Sequence, residues 1–545
     1  MPNNKTSADY IIVGAGSAGC ALAYRLGMAG ADVLLLEHGN RDGGLWNWKI
    51  NMPAALSYPM NMPRYDWGLH TEPEAQLNGR VLVCPRGKVW GGSSAINGMV
   101  YVRGHVGDYD HWQQAGAAGW SGRAVMPYFR RLETVHGVDA DGAHWRGDCG
   151  PVQVTRAAAT NPLHPAFIAA GSEAGFNYTA DYNGEVQEGV CHFDQTIFRG
   201  VRQSAARAYL APALQLPNVV LTQALVQRVC FEKSRAVAVE ARVGDALVRF
   251  HAKREVILSA SAIHSPKLLL LSGIGDENAL RKVGITPVVH RPGVGQNLQD
   301  HLEAYIQQQC KQPVTLNSQL GLFSKGAIGA RWLLFQTGAG ASNHFESGAF
   351  LRSPQATYPD MQFHFLPAAI RYDGKLASAG HGFQAHVGHM RSAARGSVEL
   401  VDANPQTPPR IRLNYMSSDA DWKNFRHAIR TVRAIFRQPA MAEFCGTDIA
   451  PVGESDAALD AYIRAHAESA YHVCGSCKMG AADDKTAVTD SHCRVFGIDN
   501  LRVVDSSIFP RIPYGNTNAP SMMVGEKAAA HILKQELPPD NSSLR

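Results

Sequence analysis

The stretch YIIVGAGSAGCALAYRLGMAGADVLLLE, residues 10–37, decides the fold of this chain. Its two ends, YIIV and VLLLE, are short apolar runs of the kind that form buried strands. Between them, the turn GAGSAG is followed by apolar residues at helical spacing, including Leu22 and Leu26. This order of strand, turn, helix and strand predicts a βαβ unit, and therefore an α/β fold with a Rossmann-like domain.

The glycines of this turn and the acidic residue after it predict a dinucleotide site. Gly14 permits the tight turn, Gly16 lets a pyrophosphate approach the backbone, and Gly19 lets helix and strand pack closely. Ser17 opens the helix, whose N-terminus stabilises phosphate charge. Glu37 can accept hydrogen bonds from a ribose diol. The pattern indicates an adenine dinucleotide rather than a structural turn, but it does not choose between FAD and NAD.

Length and composition narrow the remaining possibilities. A chain of 545 residues exceeds one ordinary core, which favours two domains. The net charge of +5, without any run of Lys or Arg, predicts no nucleic-acid partner. The first residues lack a signal-peptide pattern, and no stretch of about 20 apolar residues occurs. We therefore expect a cytoplasmic protein with reduced cysteines, and peripheral contact with the inner membrane stays open.

Five further motifs make a family resemblance specific. Together with GAGSAG and Glu37, they resemble the glucose-methanol-choline (GMC) oxidoreductase family, and they are RGKVWGGSSAINGMVYVRGH, SPKLLLLSGIG, PGVGQNLQDH, HVCGSCKMG and LRVVDSSIFP. The resemblance covers essentially the whole chain. It implies FAD as the cofactor and a GMC fold, in which a Rossmann-like FAD-binding domain is joined to a mixed sheet-and-helix substrate domain.

We expect these two domains to alternate along the chain. The FAD-binding domain is predicted to comprise residues 1–155, 201–309 and 466–545. The substrate domain is predicted to comprise residues 156–200 and 310–465, because the latter alternates strand-like runs such as MQFHFLPAAI with the helical pattern DWKNFRHAIRTVRAIF.

The resemblance also implies which residues contact the flavin. The Gly-rich segment is expected to lie along the flavin and its pyrophosphate, and later segments to meet the adenine and the ribityl chain. The predicted contacts are Trp90, Gly92, Ser93, Asn97, Gly98, Val226, Asp505 and Ser506. Some family members bond FAD covalently through a His in this segment. Ile96 stands at that place, so we expect non-covalent FAD; the alternative for the segment is a Gly-rich surface loop.

The catalytic His of the family falls on His472 in HVCGSCKMG, and its partner, which is His or Asn among members, falls on Asn518 in GNTNAPSMM. An alcohol loses hydride readily only when a base stabilises the alkoxide, and imidazole suits that task near neutral pH. Asn518 would hold the substrate oxygen without competing for its proton. The alternative is a structural histidine.

A cluster of metal-type residues near the C-terminus allows a zinc interpretation, which we set aside. It comprises His472, Cys474, Cys477, His492 and Cys493. A zinc ion coordinated by His472 would prevent this residue from acting as the base, and no second C-x-x-C follows. A redox role for Cys474 and Cys477 is disfavoured, because the pair does not open a helix in a thioredoxin-like unit. We expect no metal.

The middle of the chain resembles the choline-oxidising bacterial members of the family in GAGASNHFESGAFLRS, YPDMQFHFLPAAI and HGFQAHVGHMRSAARGSV. In those relatives a Glu after the DH pair meets the trimethylammonium group, which implies that role for Glu303. A quaternary ammonium must be held by charge and aromatic faces, so Tyr471 and Trp67 are cage candidates, and His364 could line the same pocket. The alternative for Glu303 is a structural role, as the partner of a nearby Arg or as the cap of a loop.

The predicted function is FAD-dependent transfer of a hydride from an alcohol to flavin N5. The predicted substrate is choline, oxidised to betaine aldehyde; a second oxidation to glycine betaine stays open. SAGCALAYRL, LNGR and GNTNAP are closer to members that act on aliphatic alcohols, so another primary alcohol is the alternative. A GMC-type lyase and a non-enzymatic flavin-binding protein are further alternatives. The expected electron acceptor is a quinone or another acceptor that is not NAD.

Overall fold

The computed structural model describes residues 5–44, 46–60, 62–137, 145–371, 376–377 and 380–540. It confirms the predicted α/β fold, which is built around two seven-stranded sheets. The first sheet contains the predicted βαβ unit. Its strands are Leu225–Glu232, Arg235–Val243, Ala246–Leu258, Ser7–Val13, Val33–Glu37 and Val219–Gln223 in spatial order, with Leu501–Val503 beside the end of the third.

The βαβ unit forms because its apolar runs are buried on both faces. Every residue of the strand Val33–Glu37 is buried, and this strand pairs in parallel with Ser7–Val13. The helix Ser17–Met28 connects them and buries Leu22 and Leu26 against the sheet. Continuous apolar strands are typical of parallel sheets covered by helices on both sides.

The second sheet is antiparallel and contains Glu303 and His364, two of the predicted substrate residues. Its strands are Cys445–Ala450, Leu302–Cys310, Gly382–His389, Met361–Leu366, Ser347–Leu351 and Gly189–His192 in spatial order, with Glu468–Ser469 beside the second. The helix Asp419–Phe436, which the sequence predicted, packs its apolar face into the core of this sheet. The five-segment division into domains stays a prediction, because hydrogen bonds between strands define sheets rather than domains.

The remaining elements are short and surround the two sheets. Two-stranded sheets pair Ile274–Gly275 with Val289–His290 and Ile197–Phe198 with Val201–Arg202. One three-stranded sheet contains Gln296–Leu298, Gly396–Glu399 and Arg410–Arg412, and another contains Glu133–His136, Val152–Arg156 and Asp194–Gln195. The other helices are Trp48–Asn51, Val106–Gln114, Gly122–Leu132, Leu163–Glu173, Ala206–Leu210, Ala211–Ala213, Ser261–Leu271, Glu277–Lys282, Leu322–Phe335, Pro439–Ala442, Asp456–His466 and Asn518–Leu533. The 3₁₀ turns are Pro53–Ala55, Ala75–Leu77, Gly92–Ala95, Leu316–Gln319, Gly338–Ala341 and Ser506–Ile508. Among the described residues, no helix combines the length and the apolar character that crossing a bilayer requires.

Candidate active site

A cavity of about 1760 Å³ lies between the two sheets. The first sheet contributes Val13, Glu37 and Val226 to its wall, and the second contributes Glu303 and His364. Sites for drug-sized ligands are usually about 300–1000 Å³. This cavity therefore has room for a dinucleotide together with a small substrate.

Glu37 lines the cavity beside Gly14 and Gly16, and we call this part of the cavity the dinucleotide end. Its carboxylate accepts hydrogen bonds from the backbone N–H groups of Ala15, at 2.8 Å, and Gly39, at 2.6 Å. Burial raises the pKa of Glu37, whereas these two N–H groups lower it. A carboxylate has about four lone-pair sites, so a ribose diol can still donate to it.

The glycines of the turn fit a bound dinucleotide. Gly14 has φ +103°, a conformation that side chains other than glycine rarely adopt. A Cβ on Gly19 would lie 2.0 Å from the carbonyl oxygen of Gly14, so Gly19 permits the predicted close packing. A Cβ on Gly98 would meet no atom within 4 Å, and both Gly98 and Gly16 line the cavity. These two glycines leave space where the backbone can be approached by a ligand.

The Gly-rich segment lies along the cavity, except for Trp90. Gly92, Ser93, Asn97 and Gly98 line the cavity as predicted, together with the buried Ile96. Trp90 is not one of the described residues that line it. Its ring packs on the core of the first sheet, and the guanidinium of Arg41 lies 5.8 Å from the ring centroid. The predicted contact between Trp90 and the flavin therefore stays a prediction.

The three other predicted cofactor contacts, Val226, Asp505 and Ser506, also line the cavity. Asp505 accepts hydrogen bonds from the backbone N–H groups of Ser261, at 2.9 Å, and Ser507, at 2.8 Å. Burial raises the pKa of its carboxyl group. The bond from Ser261 holds the segment after the strand Leu501–Val503 against the helix Ser261–Leu271, and Ser261, Asp505 and Ser506 line the cavity at this junction.

His472 is buried, with 9% of its surface exposed, and both ring nitrogens have neighbours. Nδ1 lies 3.1 Å from Nδ1 of His301, and Nε2 lies 3.0 Å from Nδ2 of Asn516. The backbone N–H of His472 donates to Asp300 at 2.7 Å. Burial, together with His301, His364 and Arg86, holds the pKa of His472 well below 6.5. The ring is therefore neutral near neutral pH and able to accept a proton.

The structure corrects the predicted partner of His472. The Asn518 side chain accepts a hydrogen bond from the Ser17 hydroxyl at 2.7 Å, because Asn518 begins the C-terminal helix beside the start of the helix Ser17–Met28. Asn516 lies in the preceding loop and faces His472. The Gln362 amide donates to Oδ1 of Asn516 at 3.1 Å, which directs Nδ2 of Asn516 toward the imidazole.

Glu303 lies in the second sheet beside a group of rings. Its carboxylate lies 3.2 Å from Nδ1 of His386, and the Glu303 side chain is 13% exposed. The ring of His386 stacks on Tyr305 with 3.8 Å between centroids, and Phe345 meets His386 edge-on at 5.0 Å. Glu303, Tyr305, Phe345 and His386 all line the cavity.

Two of the other predicted substrate residues lie near this group. His364 is in the strand Met361–Leu366, where its backbone is paired with that of His386, and burial lowers the pKa of His364 to about 4. Tyr471 precedes His472, has φ +65° and lines the cavity. Burial raises the pKa of the Tyr471 hydroxyl, and Glu468 and Glu303 raise it further.

Trp67 lines the same cavity but packs elsewhere. Its ring centroid lies 4.5 Å from that of His264 and 5.2 Å from that of His38, which follows Glu37. These contacts place Trp67 at the dinucleotide end. That Trp67 and Tyr471 form one cage stays a prediction: the Trp67 ring lies beside His264 and His38, whereas Tyr471 is close enough to Glu303 for that carboxylate to raise its pKa.

Four residues around His472 and Glu303 were not predicted from the sequence: Asn516, His301, Gln362 and His386. Asn516 lies in the motif GNTNAPSMM and His301 lies in DHLE, residues 300–303, so these two motifs could have indicated both residues. Gln362 and His386 reach the site through strand register, which the motifs do not encode.

Comparisons with known proteins identify the family of this chain. Models described as GMC oxidoreductase match residues 8–303 and 392–525. The chain is 58% identical over 530 residues to the oxygen-dependent choline dehydrogenase of Brucella anthropi, covering 96% of this chain and 95% of that protein. It is 54% identical over 540 residues to the protein of that name from Sinorhizobium fredii, covering 98% and 97%.

Solved structures show the same architecture. The crystal structure of pyridoxine 4-oxidase from Mesorbium loti superposes with a TM-score of 0.87 at 29% identity, covering 97% of this chain and 99% of that one. Formate oxidase superposes with a TM-score of 0.90 at 25% identity, covering 98% and 99%. The chain therefore belongs to the GMC oxidoreductase family.

Proposed function

We propose that this protein is an FAD-dependent dehydrogenase that oxidises choline to betaine aldehyde. Family membership and the choline dehydrogenase relatives make it a flavoprotein oxidoreductase. The observation that carries the choline assignment is the presence of the Glu303 carboxylate, with its ring neighbours, in the same cavity wall as His472. The decisive experiment is anaerobic reduction of bound FAD by choline.

Glu303 supplies the charge that a fixed cation needs. A trimethylammonium group donates no hydrogen bonds, so a carboxylate and ring faces are the means of binding it. The His386 ring orients Glu303 at 3.2 Å, and the stacked Tyr305 ring fixes His386 in turn. With the cation held there, the hydroxyl end of choline extends toward His472.

His472 accepts the hydroxyl proton at Nε2. Because the Asn516 amide donates to Nε2, Nδ1 carries the proton of the neutral ring and donates to Nδ1 of His301. The substrate hydroxyl replaces Asn516 at Nε2, and the Asn516 amide then donates to the alkoxide oxygen. FAD, when bound, supplies the acceptor for the hydride that leaves the alcohol carbon. Hydration of betaine aldehyde regenerates a hydroxyl group, so the same residues serve a second oxidation to glycine betaine.

Replacing Asn516 with alanine is expected to slow FAD reduction by choline at least ~10-fold, because the alkoxide loses its amide donor. Replacing Asn518 with alanine removes the bond to Ser17 instead and should slow reduction less. Single-turnover reduction of both variants, each loaded with FAD, makes the comparison. A slower rate of FAD reduction in Asn518→Ala than in Asn516→Ala would instead assign the alkoxide contact to Asn518.

The cofactor is held without a covalent bond. Ile96 offers an alkyl side chain at the place where some family members carry a linking His, and it lines the cavity. Acid precipitation of the holoenzyme is therefore expected to leave all the yellow flavin in the supernatant. A yellow pellet would show a covalent link and contradict this proposal.

The electrons leave to an acceptor other than NAD. We propose molecular oxygen as the acceptor, because the relatives are named oxygen-dependent choline dehydrogenases. A quinone is the alternative. Oxygen uptake and reduction of a soluble quinone, measured side by side with choline as the reductant, separate the two.

An apolar surface beside the cavity mouth supports peripheral membrane contact. The helix Leu322–Phe335 contains Lys325 and Arg331 but no acidic residue, which suits an anionic bilayer. Its Trp332 packs with Met52 and Ala55. The exposed apolar side chains of this helix include Leu322 at 89%, Phe323 at 97%, Leu334 at 73% and Phe335 at 70%.

Changing Phe323 and Leu334 together to glutamate should weaken binding to phosphatidylglycerol vesicles at least ~10-fold, because two apolar side chains become charged. Val288→Glu, at an exposed position elsewhere, is the matched control. Sedimentation with vesicles measures the effect, and equal binding by both variants would exclude this surface.

A further inference from the structure

Three metal-type ligands converge at the end of the C-terminal helix, away from the cavity wall. His531 lies in the last turn of the helix Asn518–Leu533, Glu536 follows the helix, and His492 comes from a separate loop. One ligand atom from each lies within 4.8 Å of the other two. None of the three is among the described residues that line the cavity.

His531 is the fixed member of this group. Its side chain is only 4% exposed, although Glu536 is 52% exposed and His492 lies at the surface. Nε2 of His531 is buried and has no hydrogen-bond partner among the described residues. Nδ1 lies 3.0 Å from the Glu536 carboxylate, and the His492 ring centroid lies 4.6 Å from that of His531. A buried ring nitrogen without a partner is costly unless something binds it.

The charged groups around the cluster are those of its own members and Lys527. Burial lowers the pKa of His531 to about 4, and the neighbouring His531 lowers the pKa of Glu536. Lys527 lies one turn before His531 and faces the group, and burial lowers its pKa to about 8.

We propose that His492, His531 and Glu536 bind one divalent transition-metal ion of the zinc type. Two imidazoles and a carboxylate are a donor set that Zn²⁺ accepts, with water as the fourth ligand. Zinc bonds of about 2.0–2.1 Å require the ligand atoms to draw closer than they lie here. The exposed His492 and Glu536 side chains can make that movement while His531 stays in place.

The ion would join the end of the C-terminal helix to the loop that contains His492. This helix begins at Asn518, beside Ser17, so the link stabilises an element that reaches the cofactor side of the cavity. The site is distinct from Cys474 and Cys477, whose thiols are buried and have raised pKa values. Its role is structural, because no member of the group lines the cavity.

Equilibrium dialysis of the untagged holoenzyme against Zn²⁺, followed by metal analysis, tests the proposal. We expect one bound zinc per chain, and a loss of affinity of at least ~10-fold in His492→Ala and in Glu536→Gln. His251→Ala, at an exposed histidine elsewhere, should bind zinc as the wild type does. The melting temperature of wild type should rise with zinc, and that of His492→Ala should rise less.

Because His492 is exposed, its variant should fold even where a change at the buried His531 would not. Absence of a stoichiometric site in the wild type would overturn the proposal. So would zinc binding that is unchanged in both the His492 and the Glu536 variants.

Discussion

Replacing His472 with alanine lowers the rate at which choline reduces the bound FAD by at least ~10²-fold, while the protein still folds and holds FAD. The reason is that Nε2 of His472, which faces Asn516, is the proposed proton acceptor. Without it, the hydroxyl proton has no base and the hydride leaves a neutral alcohol. Stopped-flow reduction under anaerobic conditions measures this rate directly.

Two controls separate loss of the base from loss of structure. The flavin content and melting temperature of His472→Ala should stay near those of wild type, because the Asp300 bond is made by the backbone N–H of residue 472. His251→Ala, at an exposed position in the first sheet, should reduce at the wild-type rate. A His472 variant that holds FAD and reduces near-normally would remove His472 from the mechanism.

Replacing Glu303 with glutamine should weaken binding of choline by about 10²-fold, because the fixed cation loses its only proposed countercharge in a largely buried site. The neutral isostere 3,3-dimethylbutanol has the same shape without the charge. Its binding should change little in the same variant. The apparent dissociation constants from FAD reduction, measured for both alcohols, give the comparison.

Glu468 offers a matched control for this change. Its backbone is paired with that of Glu303, and it also lines the cavity, but its carboxylate is bound to the Arg80 guanidinium. Because Arg80 already neutralises that charge, Glu468→Gln should weaken choline less than Glu303→Gln does. Equal losses for choline and dimethylbutanol in Glu303→Gln would indicate a structural carboxylate instead.

The local parts of the fold and the site could be predicted from the sequence. The βαβ unit follows from two apolar runs around a Gly-rich turn, and the close approach of Gly19 to Gly14 is a local consequence of that turn. His472 and Glu303 line the cavity, as expected from the motifs HVCGSCKMG and DHLE in which they lie.

The contacts between distant segments could not be predicted in the same way. The motif GNTNAPSMM contains both Asn516 and Asn518, and only the start of the helix at Asn518 decides which of them faces His472. His386 reaches Glu303 through the pairing of Leu302–Cys310 with Gly382–His389, a register that no motif records. Trp67 and Trp90 illustrate the same limit, since a large aromatic residue near a motif can equally pack on the core.

The most direct test of the central claim is anaerobic mixing of the wild-type holoenzyme with choline while the visible absorbance of the flavin is followed. The account predicts complete bleaching with choline, and much weaker apparent affinity for 3,3-dimethylbutanol, which cannot use the Glu303 charge. Flavin that stays oxidised with choline would contradict the proposed reaction, and reduction by neutral alcohols alone would contradict the role of Glu303.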